Sequence, residues 1–110
     1  MADARFQTQG VTTNADGSVR AVMVAGTFFW LPAEVHVPVG KPVTFRLTSM
    51  DVVHGFEVAG TNVNTMVVPG YVSQLTYTFD RPGEYLIVCN EYCGVGHHAM
   101  SGKIVVEAAP

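Results

Sequence analysis

The sequence predicts an all-β protein whose antiparallel strands form a sandwich or barrel with Greek-key connections. Short runs of β-branched and aromatic residues recur along the chain, and several of them alternate apolar with polar side chains. Clusters of Gly, Pro, Asn and Asp separate these runs, as turns between strands do. No segment of about ten residues shows the hydrophobic period of a helix.

Alternation is clearest in the run Val43–Thr48, where Val43, Phe45 and Leu47 point to one face and the residues between them to the other. This pattern is typical of a strand with one buried and one solvated face. By the same reasoning we predict strands at Val19–Ala25, Glu34–Val37, Val43–Thr48, Gly55–Val58, Met66–Val68, Val72–Phe79, Glu84–Cys89 and Lys103–Glu107.

Turn-forming residues stand between the predicted strands. Asn14–Gly17 precedes the first strand, Pro38–Pro42 separates the second from the third, and Arg81–Glu84 leads into the seventh. Proline presets φ for a turn and glycine permits positive φ, so each of these segments can reverse the chain tightly. Turns at such intervals are typical of a sandwich or barrel.

Composition limits the classes of protein to consider. With 110 residues, 48% of them hydrophobic, residues 1–110 are expected to form one domain with a modest core. The net charge of −3 lacks the basic footprint of a nucleic-acid-binding protein and is compatible with a basic protein partner. The longest segment without a charged residue, Val58–Phe79, contains Asn, Gln and Pro, and we do not expect it to span a bilayer. Residues 1–5 lack the apolar region of a signal peptide.

The chemically distinctive segment is CNEYCGVGHHAM, residues 89–100, in the predicted loop between the last two strands. It holds both cysteines of the chain, and Cys89, Cys93, His97 and Met100 follow one another at short, regular offsets. Thiolate, imidazole and thioether together form a soft set of ligands that suits copper, whereas calcium and magnesium prefer oxygen.

His54 is the candidate that closes this site from elsewhere in the chain, because it stands at the start of a predicted strand. The two cysteines still allow several interpretations. A mononuclear blue-copper site uses one cysteine, two histidines and a weak methionine, whereas two thiolates four residues apart can bridge two copper ions. A disulfide, a pair of reduced thiols, or a zinc site of two cysteines and two histidines are the remaining alternatives.

The motif Cys-x-Glu-x-Cys-Gly-x-x-His-x-x-Met, with Asp-Val-x-His upstream at residues 51–54, resembles the dinuclear copper A centre of subunit II of haem–copper cytochrome c oxidases. The Arg-Pro-Gly-Glu-Tyr turn at residues 81–85 and the order of the strands resemble the same domain. The resemblance implies a cupredoxin-like Greek-key sandwich or barrel. It also implies that the membrane anchor of the full-length subunit is absent here, so that residues 1–110 are a soluble fragment.

The resemblance assigns a ligand role to each residue at a matching position, namely His54, Cys89, Glu91, Cys93, His97 and Met100. The two cysteines would bridge two copper ions, and the two histidines would each bind one of them. The methionine would be a weak thioether ligand, and Glu91 would supply its backbone carbonyl. His98 is the alternative to His97, although the spacing of the family favours His97.

The function that the resemblance implies is electron transfer. The centre would accept electrons from a cytochrome c and pass them to haem in subunit I of a terminal oxidase. It would do so in the periplasm, at the outer face of the bacterial plasma membrane, and the domain alone would not be catalytic. The alternatives are the copper A domain of nitrous oxide reductase, which also carries a large propeller domain, and a mononuclear copper-binding cupredoxin.

Four residues outside the ligand set are singled out. Trp30 and Phe28 belong to the chain's aromatic cluster, and the resemblance implies that one of them receives electrons from the cytochrome, with simple core packing as the alternative. Asp51 is a candidate acceptor that orients His54, and a turn-forming aspartate is the alternative. His36 alternates with two valines and is expected on a solvated face.

Overall fold

The computed structural model describes residues 9–89 and 100–108. Within them the chain forms ten strands in two five-stranded sheets. The strands are β1 (Gly10–Thr13), β2 (Val19–Gly26), β3 (Phe29–Leu31), β4 (Glu34–Pro38), β5 (Pro42–Ser49), β6 (His54–Val58), β7 (Asn64–Val67), β8 (Ser73–Thr78), β9 (Gly83–Val88) and β10 (Ser101–Glu107). In these two segments we find no helix with the length and apolar character needed to cross a bilayer.

The first sheet has the order β1–β2–β5–β8, and β3 pairs with the last residues of β2. β2 and β5 run parallel, from Val19 opposite Val43 to Ala25 opposite Ser49. The chain makes this parallel pair by crossing to the other sheet through β4 before it returns as β5. A parallel pair needs such a crossover, because a tight turn joins only antiparallel neighbours.

The second sheet has the order β4–β10–β9–β6–β7. β9 is antiparallel to both of its neighbours, β6 and β10. The end of β9 therefore lies beside the start of β6 and the start of β10. This topology gathers Cys89, which follows β9, His54, which opens β6, and Met100, which precedes β10, at one end of the sheet.

The core lies between the two sheets. Val43, Phe45 and Leu47 of β5 are buried, as their alternation in the sequence predicts. The ring of Phe45 packs against that of Phe56 from the second sheet, with 5.4 Å between the centroids. Aromatic pairs at this distance stabilise a fold beyond the area they bury, so this contact helps to fix the two sheets against each other.

Every predicted strand is present, and each begins and ends within about two residues of the predicted position. The sequence analysis misses β1, whose residues are mostly exposed, and β3, which has only three residues. Neither strand has an alternating run long enough to be recognised. The expectation of antiparallel pairing throughout is wrong for β2–β5 and β4–β10, because both pairs are parallel.

Candidate metal centre

His54 opens β6 and is completely buried, with 0% of its surface exposed. Its Nε2 lies 2.9 Å from Oδ1 of Asp51, and its Nδ1 lies 3.8 Å from Sγ of Cys89. Because a carboxylate can only accept, Nε2 carries the ring proton and Nδ1 presents its lone pair toward the sulfur. This tautomer is the one that binds a metal through Nδ1.

Cys89 and Met100 stand on either side of the distinctive loop, and the β9–β10 ladder holds them together. Val88 is opposite Ser101, so the chain leaves β9 and enters β10 at the same level. Both side chains belong to the main core, with 7% of Cys89 and 2% of Met100 exposed. The backbone N–H of Gly55 donates a hydrogen bond to Sγ of Cys89 over 3.4 Å. Donors of this kind stabilise a thiolate and tune the potential of a metal bound to it.

The carboxylate of Asp51 accepts hydrogen bonds on both oxygens. Oδ1 accepts from Nε2 of His54 and from the backbone N–H of Val52, the latter over 2.6 Å. Oδ2 accepts from the backbone N–H of Thr27 at 2.7 Å and from its hydroxyl at 2.6 Å. Burial alone would raise the pKa of Asp51, but the hydrogen bonds from Thr27, His54 and Val52 outweigh burial and hold the pKa far below its usual range. Asp51 is therefore ionised and is a strong acceptor for His54.

Trp30 and Phe28 lie close to this end of the core. Trp30 is 1% exposed, its ring centroid is 6.3 Å from that of His54, and it meets Phe56 edge-on at 5.5 Å. Its indole N–H is buried and has no acceptor among the described residues. Phe28 is half-buried and packs against the same core. The placement of Trp30 supports its packing role, and reception of electrons by either residue stays a prediction.

Glu91, Cys93, His97 and the alternative His98 lie outside the described residues. In residues 9–89 and 100–108, no group of three or more His, Cys, Asp or Glu side chains is arranged to hold a metal ion.

The described part of the centre has donors that fit a soft transition metal. His54 offers a nitrogen, and Cys89 and Met100 each offer a sulfur, from buried side chains at one end of the core. Nitrogen and sulfur donors of this kind select copper over the hard cations, which prefer oxygen.

His36 is remote in character from this centre. It is exposed on β4, as its alternation with two valines predicts, and it lies 2.6 Å from Glu34 and 3.2 Å from Glu107.

Thr27 is the residue of the site that sequence reasoning misses. It lies 24 positions before Asp51 in the chain, and no motif connects the two. Ser49 is a second such residue, because its hydroxyl donates to the backbone carbonyl of Val52 and so holds the turn that presents Asp51. The spacing of three residues between Asp51 and His54 is the only signal in the sequence for any of these contacts.

Comparison with known proteins places this arrangement in a family. The family described as cytochrome c oxidase subunit II, periplasmic domain, matches residues 16–109. The cytochrome c oxidase subunit 2 of Thermus thermophilus is 48% identical over 99 residues, which are 90% of this chain and 73% of that protein. A protein of the same name from a second strain of Thermus thermophilus is also 48% identical over 99 residues, and the chain covers 59% of its length.

Solved structures show the same likeness. A chain in a cryo-EM structure of a haem–copper terminal oxidase dimer superposes with a TM-score of 0.81 at 40% identity, covering 97% of this chain and 76% of that one. The periplasmic domain of subunit II of cytochrome oxidase from Bradyrhizobium japonicum gives a TM-score of 0.75 at 21% identity, with 81% and 83% covered. The second likeness concerns the fold alone, and it confirms the predicted cupredoxin-like β-sandwich.

Proposed function

This chain belongs to the family of the periplasmic domain of cytochrome c oxidase subunit II, and from that premise we propose that it transfers electrons through a dinuclear copper A centre. The observation that carries the proposal is the buried pair of His54 and Cys89, in which an imidazole Nδ1 faces a cysteine sulfur over 3.8 Å. An imidazole lone pair directed at a thiol in a buried site is the arrangement that a copper ligand pair requires.

The proposed ligands come from two parts of the chain. His54 is contributed by β6, and the remaining ligands, Cys89, Glu91, Cys93, His97 and Met100, come from the end of β9 and the segment that follows. The two cysteines bridge the two copper ions, each histidine binds one ion, and Met100 and the carbonyl of Glu91 are weak ligands.

Copper supplies one-electron chemistry when bound. The chain's own contribution is rigidity, because His54 is fixed by Asp51, and Cys89 is fixed by the β9–β10 ladder and by the Gly55 N–H. Fixed ligands limit the reorganisation that accompanies a change of charge, which favours rapid electron transfer over bond chemistry. Burial of the donors excludes water and so contributes to the potential of the site.

The proposed donor is a cytochrome c, and the proposed acceptor is the haem of subunit I. Location in the periplasm fits the family to which the chain belongs. Trp30 or Phe28 is the proposed point at which electrons reach the centre, and the indole of Trp30 lies 6.3 Å from the imidazole of His54 by ring centroids. A net charge of −3 is compatible with a basic cytochrome surface.

Copper content and electron transfer together test the proposal. We expect about two coppers per chain in the wild type, and a loss of at least one copper in Cys89→Ser and in His54→Gln, because each removes a ligand. His36→Gln is the matched control, since it removes an exposed imidazole and should leave copper binding unchanged. The copper-loaded protein should oxidise a reduced cytochrome c in stopped-flow mixing, and the Cys89→Ser variant should not. Full copper binding by Cys89→Ser would refute the assignment.

A further inference from the structure

The turn between β2 and β3 is tied to the imidazole of His54 by a continuous chain of hydrogen bonds. Thr27 lies in this turn and gives both its N–H and its hydroxyl to Oδ2 of Asp51, over 2.7 and 2.6 Å. The other oxygen of Asp51 accepts from Nε2 of His54 over 2.9 Å. Each carboxylate oxygen therefore has its own partner, and the two partners come from different loops.

The planarity of the carboxylate makes this link effective. When Thr27 fixes Oδ2 with two donors, it restricts rotation about the bond that joins the carboxylate to the side chain. The direction of Oδ1 is then restricted as well, and with it the plane of the His54 ring. Charge-assisted hydrogen bonds of this length are among the stronger ones in proteins, so the restraint is substantial.

The rest of the environment supports the same path. Ser49 also contacts Oδ1 of Asp51, but only over 3.4 Å, so it cannot replace the two short bonds from Thr27. The backbone N–H of Met50 donates to the carbonyl of Ala25 at the end of β2 over 3.0 Å, which keeps the two loops side by side. Thr27 itself is exposed, so its side chain is held there by hydrogen bonding to Asp51 and contributes little to the core.

We propose that Thr27 is a positioning residue for His54, which it orients through Asp51 so that Nδ1 stays directed at the metal site. The effect on the orientation of His54 is a property of the metal-free chain. Its consequence for a bound metal rests on the function proposed above. Thr27 makes no contact with the metal in this account and acts only through Asp51.

The first test uses the metal-free protein and observes the Nε2 proton of His54 by NMR. Thr27→Val keeps the shape and the backbone N–H but removes the hydroxyl, and we expect the exchange rate of that proton with water to rise about tenfold. Thr27→Ser restores a hydroxyl and should return the rate to within about twofold of the wild type. Thr44→Val is the matched control, because it removes a hydroxyl bonded over 2.8 Å to Thr76 in the first sheet and should leave the rate unchanged.

The second test separates this inference from the proposed function. In copper-loaded protein, Thr27→Val should shift the reduction potential and Thr27→Ser should restore it, while the copper content stays the same. If the chain binds no copper but the exchange rate still rises in Thr27→Val, the function fails and the positioning role stands. An unchanged exchange rate in a folded Thr27→Val protein would overturn the positioning role, and so would a rise that Thr27→Ser does not reverse.

Discussion

At the scale of single residues, His54 shows how packing prepares a side chain for chemistry. Burial removes it from water, and each ring nitrogen then has a different neighbour, Asp51 on Nε2 and Cys89 on Nδ1. A histidine in water would exchange between its tautomers, whereas a carboxylate fixed beside Nε2 selects one of them. The residue that selects the tautomer is therefore as important to the site as the residue that would bind the metal.

Trp30 permits a test of whether its buried N–H lacks an acceptor. Leaving a donor unpartnered inside a protein costs about 1–3 kcal/mol, and Trp30→Phe removes that donor while keeping most of the aromatic contact. We expect Trp30→Phe to change the free energy of unfolding by less than about 1 kcal/mol, because the gain offsets the lost area. Trp30→Ala should cost about 3–5 kcal/mol, since it leaves a cavity. Urea denaturation measures both, and an equal loss in the two variants would mean that the N–H has a partner in solution.

His36 gives a prediction for the dependence of stability on pH. Hydrogen bonds to Glu34 and then to Glu107 raise the pKa of His36 above its usual value of about 6.5. A raised pKa means that the folded state favours the protonated ring, so this contribution is complete below about pH 6.5 and is lost as the pH rises through the folded-state pKa. We expect the wild type to lose more stability than His36→Gln between about pH 6 and 9. Urea denaturation across this range would show it, and identical pH profiles would exclude the interaction.

At the scale of the strands, β10 carries a position at which the second sheet meets the turn before β4. A Cβ added to Gly102 would lie 3.0 Å from the carbonyl oxygen of Ala33 and 3.3 Å from Cδ1 of Trp30. The carbonyl of Ala33 cannot move away freely, because the N–H of Lys103 donates to it over 2.8 Å. The absence of a side chain at Gly102 thus allows the close approach that packs Trp30 beside His54.

Gly102→Ala should therefore destabilise the fold. We expect a loss of about 1–3 kcal/mol in the free energy of unfolding, which is typical of overpacking in a core. Ser101→Ala, in the same strand but exposed, is the control and should change stability by less than about 0.5 kcal/mol. Thermal or urea denaturation compares the two variants. Equal stability of Gly102→Ala and the wild type would show that the strand can shift to accept the methyl group.

The strands also show what the sequence can and cannot predict. The run Val43–Thr48 alternates, and its buried face follows directly from that pattern. Parallel pairing of β2 with β5 depends on where the chain crosses between sheets, and no local pattern records that crossing. In the site, the spacing of Asp51 and His54 hints at their contact, whereas the bond from Thr27 depends on the way two distant loops meet.

At the scale of the whole molecule, the proposed metal would join segments that are far apart in the chain. His54 and Cys89 are separated by 35 positions, and they meet only when β6 and β9 are paired. A metal that binds both residues therefore binds the folded state in preference to the unfolded chain, and such binding stabilises the fold in proportion to the logarithm of metal concentration.

Copper should accordingly raise the melting temperature. A metal present at about 1,000 times its dissociation constant adds about 4 kcal/mol, which for a domain of this size corresponds to a rise of more than about 10 °C. Differential scanning calorimetry with and without copper measures the shift. In Cys89→Ser the rise should be much smaller, and in His36→Gln it should match the wild type. A rise of the same size in Cys89→Ser would place the metal elsewhere.

The most direct test of the dinuclear centre is the EPR spectrum of the oxidised, copper-loaded protein, recorded on samples of measured copper content. The account predicts about two coppers per chain and one unpaired electron whose hyperfine splitting comes equally from both nuclei, because Cys89 and Cys93 bridge the two ions. One copper per chain, with splitting from a single nucleus, would contradict it and would instead indicate a mononuclear copper protein with a spare thiol.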